Sequence, residues 1–279
     1  MLINKIRNKC LQKKIEKKAE EKDISSNIIA DDTHFSVLEA YKAARTNLMY
    51  TLTNEEGCKR VLFTSAMPSE GKSTTSINMA ITFAQTGAKV LIIEADLRRP
   101  KLHKYLNLQN EFGISEYLGG FKDIREIVQK TEHNLDCITG GAIPPNPSEL
   151  LMLPAMKELL DVFSKEYDYI FMDSPPINVV TDPVSLAPLM TGVVVVVKQN
   201  QTDSDSLRRA IASLEFSKAR ILGYFLNSSA ELRGYTYNRY KYHYSSQYNF
   251  NYTYTYHYKG HYGYGHNHKA EETVKEKTV

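Results

Sequence analysis

Between Phe35 and Ser228 the apolar positions switch repeatedly between two periods. Short β-rich runs at Arg60–Ser65, Lys89–Glu94, Leu135–Thr139, Tyr169–Asp173, Val193–Lys198 and Ile221–Asn227 predict strands. The segments between them predict helices over Phe35–Thr53, Lys72–Gln85, Ser148–Lys165 and Asp203–Phe216, with turn signals at Gly87, Gly140-Gly141, Pro175-Pro176 and Gly223. Strands alternating with helices build βαβ units, so the expected fold is α/β, a mostly parallel sheet with helices on both faces. The unbroken valines from Val193 to Val197 suit a central strand covered on both sides.

Outside that stretch the pattern changes character. Residues 1–22 carry eight Lys or Arg against three Glu, with Leu, Ile and Ala interspersed. A basic helix on anionic lipid and a plain solvated helix both fit this composition. At the other end, twelve of the nineteen tyrosines fall between Tyr235 and Tyr264, and five of the eight histidines between His243 and His268. No Leu, Val or Ile occurs between Gly234 and Ala270. Such a stretch buries too little aliphatic surface to offset its chain entropy, which predicts a disordered tail. The chain therefore divides into a basic segment over 1–34, an α/β domain over 35–228 and a tyrosine-cluster tail over 229–279.

Composition narrows the class. With 279 residues, 42% hydrophobic and 24% charged, the chain excludes a wholly disordered protein and a disulfide-stapled miniprotein. The longest apolar run, around Gly192–Val197, is interrupted upstream by Pro188 and Thr191 and falls short of the roughly 18 residues that cross a bilayer. The start of the sequence shows no apolar leader, and Cys10, Cys58 and Cys137 are odd in number and far apart, which suits a reducing cytoplasm. A net charge of +3 gives no argument for a nucleic-acid partner.

Three predicted strands end in chemistry, where open parallel sheets bind ligands. After the first comes Ala66-Met67-Pro68-Ser69-Glu70-Gly71-Lys72-Ser73-Thr74, close to the phosphate loop G-x-x-x-x-G-K-[ST]. In that motif backbone amides cradle phosphates, the lysine reaches the β/γ-phosphates and the hydroxyl binds magnesium. Ala66 stands at the first glycine, which is tolerable if that residue keeps a negative φ. The second end carries Glu94 and Asp96, two residues apart and pointing the same way in an extended run. Such a pair suits water-mediated magnesium binding or proton acceptance from a hydroxyl. The third ends in Asp173, a Walker B arrangement that suits a magnesium-organising residue.

These segments, together with Ile143-Pro144-Pro145-Asn146-Pro147-Ser148-Glu149-Leu150-Leu151, resemble the bacterial tyrosine kinases of capsular and exopolysaccharide synthesis, over roughly Phe35 to Ser228 and on into a tyrosine-cluster tail. The resemblance implies a P-loop NTPase-like fold and an autokinase using ATP and Mg²⁺. It implies that Lys72 holds the β/γ-phosphates, Ser73 ligates Mg²⁺, Asp96 and Asp173 fix its waters, and Asp96 or Glu94 accepts the tyrosine proton. The family usually has Asp at the position of Glu94, so the choice of base stays open. The acceptors it implies are Tyr235, Tyr237, Tyr240, Tyr242, Tyr244, Tyr248, Tyr252, Tyr254, Tyr256, Tyr258, Tyr262 and Tyr264, phosphorylated between subunits.

The family's ring-forming Glu-x-x-Arg-x-x-Arg appears as Glu39, Lys42 and Arg45, whose spacing of three puts them on one helical face. Lys42 keeps the charge of the usual arginine and loses its bidentate fork. The resemblance further implies a homo-oligomer, a separate membrane adaptor whose cytoplasmic tail activates the kinase at the inner face of the plasma membrane, and a cognate tyrosine phosphatase. Two other readings compete. A positioning or partitioning ATPase switch of the deviant Walker type would carry a lysine where Met67 stands, and an inactive nucleotide-binding scaffold fits the departures at Ala66, Ser69 and Glu94. The tail, too, has other readings: a sticky linker, a loose Zn²⁺ or Ni²⁺ ligand through His261, His266 and His268, or a stacking surface for single strands.

A tethered tail offers hydroxyls at millimolar effective concentration, so weak recognition of any one tyrosine suffices. Each phosphate adds roughly −1.5 to −2 charge, so twelve add about −18 to −24, far more than the formal +3. Heavy phosphorylation is expected to repel neighbouring tails and dissolve the oligomer. Native mass before and after ATP addition checks this, and an assembly unchanged at full phosphorylation refutes it.

Overall fold

Along strand β1, Lys59–Ser65, Val61 and Phe63 point to one face of a sheet and Leu62 to the other, and all three are buried. The same alternation holds in β2 (Val90–Glu94), β5 (Tyr169–Asp173) and β6 (Gly192–Lys198), so these strands are apolar on both faces. That pattern needs a cover on each side. The computed structural model describes residues 27–227. The basic N-terminal stretch, Cys10 and all twelve clustered tyrosines lie outside the described residues.

Seven strands form one sheet in the order β3-β4-β2-β5-β1-β6-β7. All neighbours are parallel except β3 (Val128–Lys130) with β4 (Asp136–Ile138). Strand β7, Ile221–Asn227, closes the other edge. One face is covered by α1 (Phe35–Thr51), α2 (Lys72–Ala84) and α3 (Leu102–Tyr105), through Tyr41, Leu48, Ile77, Ile81 and Leu102. The opposite face is covered by α4 (Ile114–Leu118), α5 (Pro147–Leu151), α6 (Pro154–Phe163), α7 (Asp182–Leu186) and α8 (Ser204–Phe216). The α/β expectation of a mostly parallel, doubly covered sheet therefore holds.

Several elements differ from those predicted, each for a local reason. The helix expected over Ser148–Lys165 is two helices, because Pro154 cannot donate a backbone hydrogen bond and instead starts α6. Strand β3 and helices α3, α4 and α7 have three to five residues, too few to show a period. Gly223 does not separate elements; it lies inside β7 beside the register shift against Val193 and Val194 of β6. The packed body also begins before Phe35, since Ile28 and Ile29 are buried and the Ile29 amide donates to Asn78 Oδ1 of α2 at 2.9 Å.

Phe63, Phe83 and Phe171 are fully buried where α2 meets the sheet, with Phe171 edge-on to both others at ring separations of 5.4 and 5.2 Å. Phe171→Ala removes the shared member and leaves a cavity under the helix that carries the phosphate-loop lysine. The expected loss is about 3–5 kcal/mol of folding free energy, read by chemical denaturation. A loss under about 1 kcal/mol would mean that the layer is not close-packed.

Candidate active site

The parallel register brings the chemistry together. Glu94 and Asp173 are the last residues of adjacent strands and lie directly paired, while β1 and its turn into α2 flank Asp173 on its other side. Asp96 follows Glu94 by two residues, and the Ala95 amide donates to the Asp173 carbonyl at 2.7 Å, holding the β2 exit against β5.

The turn from β1 into α2 has the shape of a phosphate loop. Ala66 is fully buried and is not among the residues with positive φ, which meets the condition for replacing the first glycine. Ser69 and Gly71 supply the left-handed turns, with φ of 66° and 92°. A Cβ on Gly71 would also lie 2.1 Å from Asn227 Nδ2 of β7, so any replacement would have to displace that side chain from the loop. No side chain caps α2. The amides of its first turn are left for an anion, and the helix dipole favours one.

Lys72, first residue of α2, reaches back across the strand ends. Its Nζ lies 3.1 Å from Asp96 Oδ2, 3.7 Å from Asp173 Oδ2 and 3.3 Å from Ser73 Oγ. Burial works against its charge, but Asp173, Asp96 and Glu94 outweigh that and hold the ammonium above its ordinary range. Asp96 is fully engaged, since its other oxygen accepts from the Arg99 amide at 3.1 Å. Asp173 is not: it is 0% exposed, and neither carboxylate oxygen has a hydrogen-bond partner. Burial raises its pKa, with Lys72 opposing. Unsatisfied buried carboxylate oxygens are costly, and these two face the residues expected to organise a hydrated cation. Ser73, Asp96 and Asp173 thus fit Mg²⁺, which keeps several waters and takes few protein ligands. That economy matters because, among the described residues, no three His, Cys, Asp or Glu form a ready metal cage.

Glu94 is built differently from its neighbours. Its Oε2 accepts from the amides of Lys101 and Leu102 at 2.7 and 2.8 Å, at the start of α3, while Oε1 is buried without a partner. Burial, then the Asp173 carboxylate, push its pKa up to about 8, against the two amides and Lys72. The extra methylene relative to aspartate lets this side chain brace the 100–102 turn.

Of the residues assigned to oligomerisation, Glu39 and Lys42 form an exposed pair at 2.9 Å, whereas Arg45 donates to the Thr82 carbonyl of α2 at 2.6 Å. The three share a helical face in spacing, and Arg45 is half-buried with one guanidinium nitrogen on α2. Sequence reasoning missed a clamp beside the site. Arg98, two residues after Asp96, donates to Ser148 Oγ at 2.8 Å and to the fully buried Asp182 at 3.4 Å, and Ser148 also donates to Asp182. The only available signal was Ser148 itself, inside the Ile143–Leu151 motif. Glu70, counted with the phosphate loop, turns its carboxylate to the Met67 amide and the Thr202 hydroxyl.

A doubly covered, mostly parallel sheet with a phosphate loop after β1, an aspartate ending the adjacent β5 and acidic residues at the end of β2 beyond it, defines a P-loop nucleotide-binding protein. Residues 69–216 match the AAA domain family. The chain is 35% identical to tyrosine-protein kinase YwqD of Bacillus subtilis strain 168, covering 86% of this chain and 96% of that one, and 32% identical to putative tyrosine-protein kinase CapB of Staphylococcus aureus, covering 73% and 90%. Among solved structures it resembles the kinase domain of the Escherichia coli tyrosine kinase ETK, with TM-score 0.67, 33% identity and coverage of 72% and 80%. The septum site-determining protein MinD of Pyrococcus horikoshii, complexed with Mg-ADP, shares only the fold, at TM-score 0.53, 19% identity and coverage of 61% and 70%. The chain belongs to the bacterial tyrosine-protein kinases and is an enzyme of that class.

The Glu94 environment sets a pH dependence. Its folded pKa lies above the ordinary 4.5, so the folded state keeps a proton that the unfolded chain loses, and stability falls as pH rises from about 4.5 to about 8. The groups acting on it are Asp173, Lys72, Cys137 and the amides of Lys101 and Leu102. In metal-free protein with chelator, Glu94→Gln should flatten the decline in melting temperature between pH 5.5 and 8.5. An identical slope in wild type and variant contradicts the assignment.

Proposed function

We propose that this chain is an ATP-dependent autokinase that phosphorylates its own C-terminal tyrosine cluster between subunits of a homo-oligomer, and that this modification regulates capsular or exopolysaccharide synthesis and export. The observation that carries the reading is the constellation of Lys72 between Asp96 and Asp173 at the mouth of the phosphate loop. The tyrosine-rich sequence begins at Tyr235, eight residues after Asn227, whose side-chain amide donates to the Glu70 carbonyl within that loop at 3.0 Å.

Phosphoryl transfer to a phenol asks little covalent chemistry of the protein; it asks for alignment and charge stabilisation. Lys72 pairs with the carboxylates of Asp96 and Asp173. Lys72 would turn to the β/γ-oxygens of a bound triphosphate, which would free Asp96 Oδ2 and leave Asp173 facing the site. A Mg²⁺ held by Ser73, with Asp96 and Asp173 on its waters, supplies neutralisation of the phosphate charge. Of the two candidate bases, Asp96 is the one freed by the lysine's movement. Glu94 stays tied to the amides of Lys101 and Leu102 and positions that turn. A subunit contact through the face of α1 that carries Glu39, Lys42 and Arg45 is part of this reading. A separate membrane adaptor is expected to recruit and activate the kinase at the inner face of the plasma membrane, with a tyrosine phosphatase to reset the tail. Among the described residues no helix is long and apolar enough to cross a membrane.

Incubating the full chain with Mg-ATP and the adaptor's cytoplasmic tail, then mapping phosphotyrosine by mass spectrometry, tests this directly. Wild type should accumulate phosphate over Tyr235–Tyr264, and Lys72→Met should lose it. Asp96→Asn should lower turnover by about 10²-fold or more with nucleotide still bound, and Glu94→Gln by less. Phosphate released to water with no phosphotyrosine would instead favour a positioning switch.

A further inference from the structure

A carboxylate inside an anion-binding loop is out of place unless something holds it away from the anion. Glu70 is the fourth residue of the variable stretch of the phosphate loop, it is only 1% exposed, and no cationic side chain pairs with it among the described residues. Its Oε2 accepts the backbone N–H of Met67, three residues earlier, at 3.0 Å, and its Oε1 accepts the hydroxyl of Thr202. Thr202 lies in the turn after β6, which it closes by accepting the Lys198 amide at 2.9 Å. Two further contacts reach the same place from the same side: Lys198 Nζ to the Ser69 carbonyl at 3.4 Å, and Asn227 Nδ2 to the Glu70 carbonyl at 3.0 Å.

All four contacts surround one strained residue. Ser69 sits at φ 66°, in the left-handed region that glycine adopts without cost and serine does not. Such strain persists only where the surroundings over-determine the conformation. Thr202 and Asn227 are contributed by the turn after β6 and the end of β7, elements separate from the loop itself. Side chain and carbonyl contacts on the loop leave its first-turn amides free for phosphate.

Resting on the nucleotide-binding reading of this loop, we propose that Glu70 is a positioning residue. With Thr202 as its anchor, it holds Ser69 in the left-handed conformation and so keeps the phosphate cradle formed before nucleotide arrives. Glu70 touches no phosphate in this role; it acts through the backbone of residues 67–70.

The test reads Mg-ATP affinity by titration on the full chain, with melting temperature alongside, and hydrogen exchange of residues 66–71 in nucleotide-free protein. Glu70→Ala should weaken Mg-ATP binding about tenfold and speed exchange across the loop, because the Met67 amide loses its acceptor. Thr202→Val, outside the cradle, should shift both readouts the same way by a smaller factor. Adding Ser69→Gly to either variant should recover most of the lost affinity, since glycine takes the left-handed turn unaided. A general loss of packing would show no such rescue. Wild-type affinity in both single variants, or a deficit untouched by Ser69→Gly, overturns the proposal. If Glu70→Ala does not fold, Thr202→Val with and without Ser69→Gly decides the matter. A wild-type chain that binds no Mg-ATP overturns the nucleotide-site reading itself, a result distinct from variants that bind as wild type does.

Discussion

The ammonium of Lys72 among the carboxylates of Asp96, Asp173 and Glu94 is the interaction on which the rest of this site depends. Three acidic groups converge on two adjacent strand ends because the parallel register of β2 and β5 leaves them nowhere else to go. Unit charges about 4 Å apart are worth about 4 kcal/mol at the effective dielectric typical of protein sites, so the cluster needs a counter-charge in the absence of metal. Lysine at the first position of α2 supplies it from the neighbouring turn. In the proposed kinase reaction the same side chain would turn to the polyphosphate and leave the acidic groups to a hydrated cation and the acceptor hydroxyl.

The fold divides its labour along the strand axis. The two apolar faces, one under α1 to α3 and the other under α4 to α8, secure the sheet so that its carboxyl ends need no apolar cover. Those ends are held instead by polar ties. Glu94 anchors the 100–102 turn, the Arg98–Ser148–Asp182 clamp joins the turn after β2 to the starts of α5 and α7, and Glu70 with Asn227 and Thr202 supports the phosphate loop. Polar networks of this kind specify one geometry when every member is satisfied. Asp173 and Glu94 Oε1 are the unsatisfied members, and both lie at the paired ends of β2 and β5.

Much was legible before any coordinates. The five valines of β6, the strand–turn–helix around Gly71-Lys72-Ser73 and the acidic strand ends are local patterns, and local patterns survive in sequence because backbone period and turn chemistry are properties of neighbouring residues. Less legible were β3, too short for a period, and the break at Pro154, hidden inside an otherwise helical spacing. Arg45 shows the limit of face arguments. Its spacing from Glu39 and Lys42 is helical, yet its long side chain bends to a carbonyl on α2 that no spacing could indicate.

The chain by itself determined an α/β sheet, a phosphate loop with its lysine and hydroxyl, the identity of the acidic residues and a tail rich in phenols, because each is written in adjacent positions. Only the tertiary structure decided which carboxylates share the lysine, that Glu94 is braced by the amides of Lys101 and Leu102, that Ser148 serves Arg98, and that Glu70 faces Thr202 rather than the cradle. Those are contacts between residues up to 132 positions apart, as Glu70 and Thr202 are. Burial and distance across a packed sheet set them, and neither quantity exists until the strands have paired.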